Sequence, residues 1–323
     1  MSKVLSVVVP VFNEEEVIET THGRLVSVLD SLSLPYEIIY IDDGSKDKTV
    51  EIITPWTREG DEVKLLTFSR NFGHQTAITC GMDYASGEAI VIIDADLQDP
   101  PEVIPDMIAK WREGYEVVYG KRSTREGETV FKKWSAKTFY RFLHRMSDVE
   151  IPTDVGDFRL IDRKVRDVLL RIPEHNRYVR GLIAWLGFRQ TYVLFERQAR
   201  AAGVTKYPLK KMLKLAGDGI TSFSYKPLRI ATTIGLSLSA FGFLFFLFVF
   251  ISRLFNLQVM EPGYATLMCV ILFFFGIVLI MLGIIGEYIG RIFEEVKGRP
   301  LYIVDKKKGV FFEKGRDHIP GGQ

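Results

Sequence analysis

An α/β domain on a mainly parallel sheet, followed by two membrane-crossing helices, is the fold class that this sequence predicts. Two observations carry the expectation. Short β-rich runs alternate with helical patterns through the N-terminal part of the chain, which implies parallel strands with helices on both faces. Further on, Ile230 to Ser252 and Pro262 to Gly286 contain no Asp, Glu, Lys or Arg over 23 and 25 residues, and a helix crosses a bilayer with roughly 20 apolar residues. Composition excludes other classes. With 42 Lys plus Arg against 40 Asp plus Glu, the net charge is only +2 in 323 residues, whereas a nucleic-acid binder needs a basic excess or stripe. A 47% hydrophobic content excludes intrinsic disorder. Two cysteines, Cys80 and Cys269, are too few for a disulfide framework or a zinc site and suit a reducing compartment.

Val4 to Val9 reads as the first strand and Glu14 to Leu32 as the helix after it. Tyr36 to Ile41, Val63 to Phe68, Ala89 to Ile93 and Glu116 to Tyr119 follow as strands, with Pro101 to Arg112 helical. Pro10 and the acidic Glu14-Glu15-Glu16 interrupt the N-terminal apolar run and no small-residue cleavage site follows, so it does not read as a signal peptide. Residues 1–205 are therefore expected to form one cytosolic domain. Residues 206–229 mix Leu209, Met212, Leu213, Leu215 and Ile220 with Lys210, Lys211 and Lys214. They fit either a helix lying on the anionic inner leaflet or an ordinary surface helix. Spans are placed at 230–252 and 262–288, because a run such as Phe241 to Phe248 is apolar on every face, unlike an amphipathic core helix. The loop 253–261 carries one Arg, against Lys226 and Arg229 before the spans and Arg291, Lys297, Arg299 and Lys306-Lys307-Lys308 after them. That asymmetry puts both termini in the cytoplasm, with 289–323 as a cytosolic tail.

Ligands of open α/β sheets bind beyond the carboxyl ends of the strands, and polar residues crowd those ends here. The first strand ends in Val9-Pro10-Val11-Phe12-Asn13-Glu14-Glu15, the second in Ile41-Asp42-Asp43-Gly44-Ser45, and the third in Ser69-Arg70-Asn71-Phe72-Gly73-His74. The fourth ends in Asp94-Ala95-Asp96-Leu97-Gln98-Asp99-Pro100-Pro101-Glu102. Strand side chains repeat every two residues, so Asp94 and Asp96 can point the same way. Two such carboxylates suit Mg²⁺ or Mn²⁺, which bind one or two carboxylates plus substrate phosphates; the plain alternative is a surface turn. Asp42-Asp43-Gly44-Ser45 fits a turn or a carboxylate that accepts a hydrogen bond from a nucleotide base or ribose. Asn13 and Glu14 fit helix caps. Taken singly, Arg70 and His74 read as ordinary solvated or hydrogen-bonded residues, and Arg177, Arg180 and Trp185 as a solvated helix face sooner than as residues that shape one side of the site.

Taken together, the four strand ends resemble the inverting GT-A glycosyltransferases of family 2, whose domain is a Rossmann-like, mainly parallel sheet. Asp154-Val155-Gly156-Asp157-Phe158-Arg159-Leu160-Ile161-Asp162 and Arg197-x-x-Arg200-x-x-Gly203-x-x-Lys206-Tyr207 resemble the polyisoprenyl-phosphate branch of that family. Dolichol-phosphate mannose synthases and bactoprenol (undecaprenyl-phosphate) glucosyltransferases belong to that branch, and the two C-terminal spans match the latter. The resemblance implies a nucleotide-sugar pocket of Pro10, Asn13, Glu14, Asp42 and Asp43, with Asp94 and Asp96 holding the metal and donor diphosphate beside Gln98. It implies an acceptor-side catalytic aspartate at Asp157 and phosphate contacts by Arg200 and Lys206. Thr205 replaces the Ser of many relatives and keeps the hydroxyl. Around Arg122, Lys132, Lys133 and Ser135, where mannose synthases use arginines for the lipid phosphate, lysine keeps the charge and loses the bidentate fork.

The implied reaction is transfer of one sugar, UDP-glucose being the favoured donor, onto a polyprenyl phosphate in the inner (plasma) membrane. The implied cofactor is Mg²⁺ or Mn²⁺, and the implied assembly is a homo-oligomer such as a tetramer. The competing readings are a mannosyl or aminosugar transferase, a non-catalytic adaptor or flippase on the same fold, and a processive polysaccharide synthase. The last lacks support here, since no Gln-x-x-Arg-Trp motif occurs.

Overall fold

The computed structural model describes residues 4–58, 62–123, 155–175, 177–196, 226–255 and 264–305. Its elements are β1 (Leu5–Val11), α1 (Ile18–Ser31), β2 (Tyr36–Asp42), α2 (Thr49–Ile53), β3 (Val63–Thr67), α3 (His74–Tyr84), β4 (Ala89–Ile92), α4 (Ile104–Arg112) and β5 (Val117–Arg122). They continue as β6 (Val155–Asp162), α5 (Arg163–Leu170), α6 (Val179–Trp185), β7 (Gln190–Phe195), α7 (Lys226–Leu254) and α8 (Tyr264–Val296). The expected strands all form. The first helix starts four residues later than expected, because Asn13 takes a left-handed φ of 54° and the backbone of Glu14 is bound by Thr49 instead of entering a helix. At Pro101 the chain first makes a short 3₁₀ turn, Pro101–Val103, before α4 begins.

Seven strands form one sheet in the order β3-β2-β1-β4-β6-β5-β7. Every pairing is parallel except those of β6, which runs against both β4 and β5. Both faces are covered, as parallel sheets require. Val7, Val9, Ile38, Tyr40 and Val91 pack on one side with Leu25 and Leu29 of α1 and Met107 of α4. Val8, Ile39, Ile41, Ile90 and Ile92 pack on the other with Ile78 of α3, Val165 of α5 and Leu182 of α6. Helix α3 lies so close to β1 that a methyl added at Gly81 would stand 2.2 Å from Val8 Cγ1.

The C-terminal region forms two long helices that touch each other. Among the described residues only Phe273–Val296 of α8 is long and apolar enough to cross a membrane, while the apolar stretch of α7, Ala231–Leu244, is shorter. One of the two expected spans thus has, among the described residues, a helix long and apolar enough to cross a membrane. After α8 the chain turns back at Gly298, whose φ is +56°, and Val304 pairs with Phe68 beyond the end of β3.

Candidate active site

Sheet order places β1 at the switch point, with β2 on one side and β4 on the other, so the crevice opens beyond Val11 and Ile92. Pro10 sharpens that opening. Ile93 N–H donates to Val8 O, and Pro10 has no N–H for the next rung, so β4 parts from β1 at that point. Beyond it the side chains alternate: Asp94, Asp96 and Gln98 are half-buried, while Ala95, Leu97 and Asp99 are buried. Leu97 holds this arc with a left-handed φ of 58°, a conformation that non-glycine residues seldom adopt. Asp96 Oδ1 accepts the N–H of Gln98 at 3.1 Å. Asp94 Oδ1 is buried and has no hydrogen-bond donor among the described residues.

The reversed strand β6 explains how Asp157 reaches the same place. Ile92 is in register with Arg159, and antiparallel register carried two residues further sets Asp157 opposite Asp94. His74, the first residue of α3, stands between them, its Nε2 3.4 Å from Asp94 Oδ1 and 3.4 Å from Asp157 Oδ2. Three more side chains close on Asp157. Arg180 of α6 lies 3.0 Å from Oδ1, Arg159 lies 3.7 Å from Oδ1, and Gln75 Nε2 donates to Oδ2 at 3.3 Å.

Charge in this cluster is unevenly held. Burial alone would raise the Asp157 carboxyl, but Arg180, His74 and Arg159 outweigh it and hold Asp157 well below the usual carboxylate range. At Asp94 burial wins, helped by the neighbouring Asp157 and Asp96, so its carboxyl is pushed up despite His74. Burial works against a charged His74, yet the charges of Asp94 and Asp157 push it up to about 9. The two carboxylates that His74 bridges thus favour its protonated form.

The loops after β1 and β2 are tied to one another. Asn13 Oδ1 accepts from Lys46 N at 2.9 Å and Asn13 N donates to Ser45 Oγ at 2.9 Å. Glu14 N donates to Thr49 Oγ1 at 2.9 Å. Neither Asn13 nor Glu14 caps α1, whose N-cap position is Val17. The two aspartates ending β2 differ. Asp43 accepts N–H groups from Phe72 at 2.6 Å and Gly73 at 3.0 Å, so it braces the start of α3. Asp42 accepts the N–H of Ser45 through Oδ1, while its Oδ2 is buried without a donor among the described residues. Burial raises both carboxyls.

Gly44 makes this junction possible. Its φ is +76°, and a Cβ there would meet Arg70 C at 2.8 Å and Asn71 N at 2.9 Å. Gly44→Ala is expected to cost about 1–3 kcal/mol of stability through backbone strain and overpacking. Thermal melting measures it; an unchanged midpoint would show that the loops part without cost.

Of the residues the sequence points to, Asp94, Asp96, Gln98 and Asp157 converge on one crevice, with Pro10, Asn13, Glu14, Asp42 and Asp43 along its β1–β2 side. Arg122, last in β5, has Nη2 3.9 Å from Asp99 Oδ1, and a Cβ on Gly156 would stand 3.3 Å from it, so Arg122 neighbours Asp157 in the chain fold. Arg200, Lys206, Lys132, Lys133 and Ser135 lie outside the described residues. The sequence marks His74 and Arg180 first as ordinary solvated side chains and does not single out Gln75. Arg180 does not lie on a merely solvated helix face but grips Asp157. No spacing rule signals these three, because they come from two helices about a hundred residues apart in sequence that the fold brings together, Val179 N–H donating to Gln75 Oε1 at 3.1 Å.

The metal expectation has a partial fit. Among the described residues no group of three His, Cys, Asp or Glu could hold an ion unaided. The undonated, buried oxygen of Asp94 beside Asp96 instead suits a hard cation that completes its shell with substrate oxygens.

Comparison with known proteins gives the family. Residues 6–170, just over half the chain, match the model of glycosyl transferase family 2, and residues 226–292 match the GtrB C-terminal hairpin. The chain is 56% identical over 94% of its length to the uncharacterized glycosyltransferase YkcC of Bacillus subtilis (strain 168), covering 94% of that protein. It is 43% identical to the SfII prophage-derived bactoprenol glucosyl transferase of Shigella flexneri, covering 94% of this chain and 97% of that one. A more distant likeness is the crystal structure of mannosyl-3-phosphoglycerate synthase from Rubrobacter xylanophilus, 16% identical with a TM-score of 0.47 over 81% of this chain and 78% of the other. With a family model over half its length and near-full-length relatives well above 40% identity, the chain belongs to glycosyl transferase family 2 and is a GT-A glycosyltransferase.

Proposed function

We propose that this enzyme moves one glucose from UDP-glucose, with inversion, onto a polyprenyl phosphate in the membrane. One observation carries the reading: an acceptor-side carboxylate, Asp157, sits opposite the paired Asp94 and Asp96, bridged by His74. The Shigella relative's name supplies the lipid and the sugar.

Asp94 and Asp96 would hold a divalent ion, Mg²⁺ or Mn²⁺, which would supply positive charge to the donor diphosphate. Asp42, whose buried Oδ2 has no donor among the described residues, takes a hydrogen bond from the nucleoside, while Asp43 serves as a brace. Asn13, Glu14, Pro10 and Gln98 shape that pocket. An acceptor phosphate monoester has a second pKa near 6 and arrives largely ionised, so little proton abstraction is needed. Asp157, held ionised, is a weak base; its work is to orient, and Arg180 and His74 screen the phosphate from it. Arg122, Lys132, Lys133 and Ser135 hold the acceptor phosphate, and Arg200 and Lys206 the departing diphosphate. Positioning and charge complementarity then supply most of the acceleration. Helices α7 and α8 form a membrane hairpin with both termini in the cytoplasm, and the chain assembles as a homo-oligomer, a tetramer by resemblance.

The test incubates purified full-length protein with labelled UDP-glucose, undecaprenyl phosphate and Mg²⁺ or Mn²⁺. Label extracted into organic solvent as a lipid supports the reading; a retained label with UDP-glucose but transfer from another nucleotide sugar corrects the donor. No labelled lipid from any donor refutes it.

A further inference from the structure

The exit of α8 touches α3 and the segment that leads into α6, the two helices that hold Asp157. Past Gly298 the chain runs antiparallel to the end of β3, with Ser69 N–H donating to Ile303 O at 3.0 Å and Asp305 N–H to Thr67 O at 2.8 Å. Between those bonds Tyr302 stacks on the buried Phe68, ring centroids 5.4 Å apart and 16° from parallel. Phe68 meets Phe72 edge-on at 5.5 Å, and Phe72 lies two residues before His74. The Tyr302 hydroxyl donates to Asp83 Oδ2 at 2.5 Å, near the far end of α3. One side chain thus holds the far end of α3 directly and reaches the approach to its start through Phe68 and Phe72.

A second tie reaches α6. Glu295, in the last turn of α8, accepts the backbone N–H of His175 at 2.8 Å and lies 2.9 Å from its Nδ1. Nε2 of the same ring meets Arg299 O at 2.5 Å. Acceptors at both nitrogens mean that both carry protons. His175 stands four residues before Val179, where α6 begins, and Val179 N–H donates to Gln75 Oε1 at 3.1 Å. The other end of the Gln75 amide holds Asp157, as does Arg180 of α6.

We propose that the α8 exit, residues 295–305, is a strut that seats α3 and α6 against Asp157, with Tyr302 and Glu295 as positioning residues. It rests on the reading of this site as a sugar-transfer centre and of α8 as a membrane helix. The logic is geometric: a reaction between a soluble donor and a lipid headgroup needs the site held at fixed depth, and a strut built from the membrane helix itself does that. Misplacement of catalytic groups by about 1 Å can cost on the order of a hundredfold.

The test compares full-length wild type, Tyr302→Ala and Tyr302→Phe in lipid nanodiscs with UDP-glucose, undecaprenyl phosphate and Mn²⁺. Tyr302→Ala is expected to lower kcat by about tenfold or more with the donor KM within about twofold. Tyr302→Phe, which keeps the stack, recovers most of the loss. Amide exchange across residues 72–80 and 178–184 rises in Tyr302→Ala and not in Tyr302→Phe. A folded Tyr302→Ala with wild-type kcat and unchanged exchange overturns the strut. Should Tyr302→Ala fail to fold, Glu295→Gln carries the same expectation for kcat and for exchange at 178–184. If the wild type transfers nothing, the proposed reaction falls, and the exchange measurements still decide the strut.

Discussion

Asp157→Asn is expected to lower kcat by at least about a hundredfold, with UDP-glucose still binding. The substitution keeps the shape and removes one negative charge from a cluster that contains Arg159, Arg180 and His74. Arg159 is the most exposed to that loss: its side chain is 1% exposed and lies 3.7 Å from the carboxylate. Breaking a buried ion pair costs about 3–5 kcal/mol, so the variant should also melt earlier, and kcat must be measured on the folded fraction. The pH dependence separates the two effects. Asp157 has a folded pKa below its unfolded one, so its stabilising contribution is fully present above the unfolded value near about 3.9 and is lost only as pH falls below it. The variant lacks that contribution across the neutral range, and its stability should fall less steeply on acidification than that of the wild type. Turnover of Asp157→Asn close to wild type at pH 7 would remove this residue from the chemistry.

Why that carboxylate lies where it does could be read only in part from the sequence. The strand ends were legible, because polar residues following apolar runs mark the carboxyl edge of a parallel sheet. Asp94 and Asp96 follow a four-residue apolar strand, and their common facing came from a period of two. The reversal of β6 had no such mark; its residues, Val155 to Asp162, read as a strand in either direction. Yet that reversal is what sets Asp157 opposite Asp94. Asp42 and Asp43, adjacent and chemically alike, divide their work by backbone geometry alone: one is closed by Phe72 and Gly73 N–H groups, the other left with an open oxygen. The roles of His74, Gln75 and Arg180 were hidden for a different reason. Each belongs to a helix whose placement depends on long-range packing, and a lone histidine or arginine at a helix start carries no local signal. The strand-like return at 301–305 was hidden likewise, since five residues after a helix show no period.

The paired aspartates give the second large effect. Asp94→Asn and Asp96→Asn are each expected to reduce transfer by about two orders of magnitude or more, and EDTA should abolish it in the wild type with recovery on adding Mg²⁺ or Mn²⁺. Stability should move the other way. In the metal-free protein Asp94 has one oxygen buried without a donor among the described residues, and Asp157 and Asp96 both repel its charge. Its folded pKa lies above the unfolded one, so ionisation of Asp94 opposes folding once pH rises past the unfolded value, and the penalty is complete above the folded value. An amide removes that penalty, and His74 keeps Asp157 as a partner at 3.4 Å. Asp94→Asn should therefore melt no lower than the wild type in EDTA, while losing the rise in melting temperature that Mn²⁺ plus UDP-glucose gives the wild type. A variant that melts several degrees lower in EDTA would make Asp94 a structural anchor of the β4 end. Undiminished transfer in EDTA would take the metal out of the reaction and leave the positive charge at the crevice to side chains such as His74, Arg180 and Arg159.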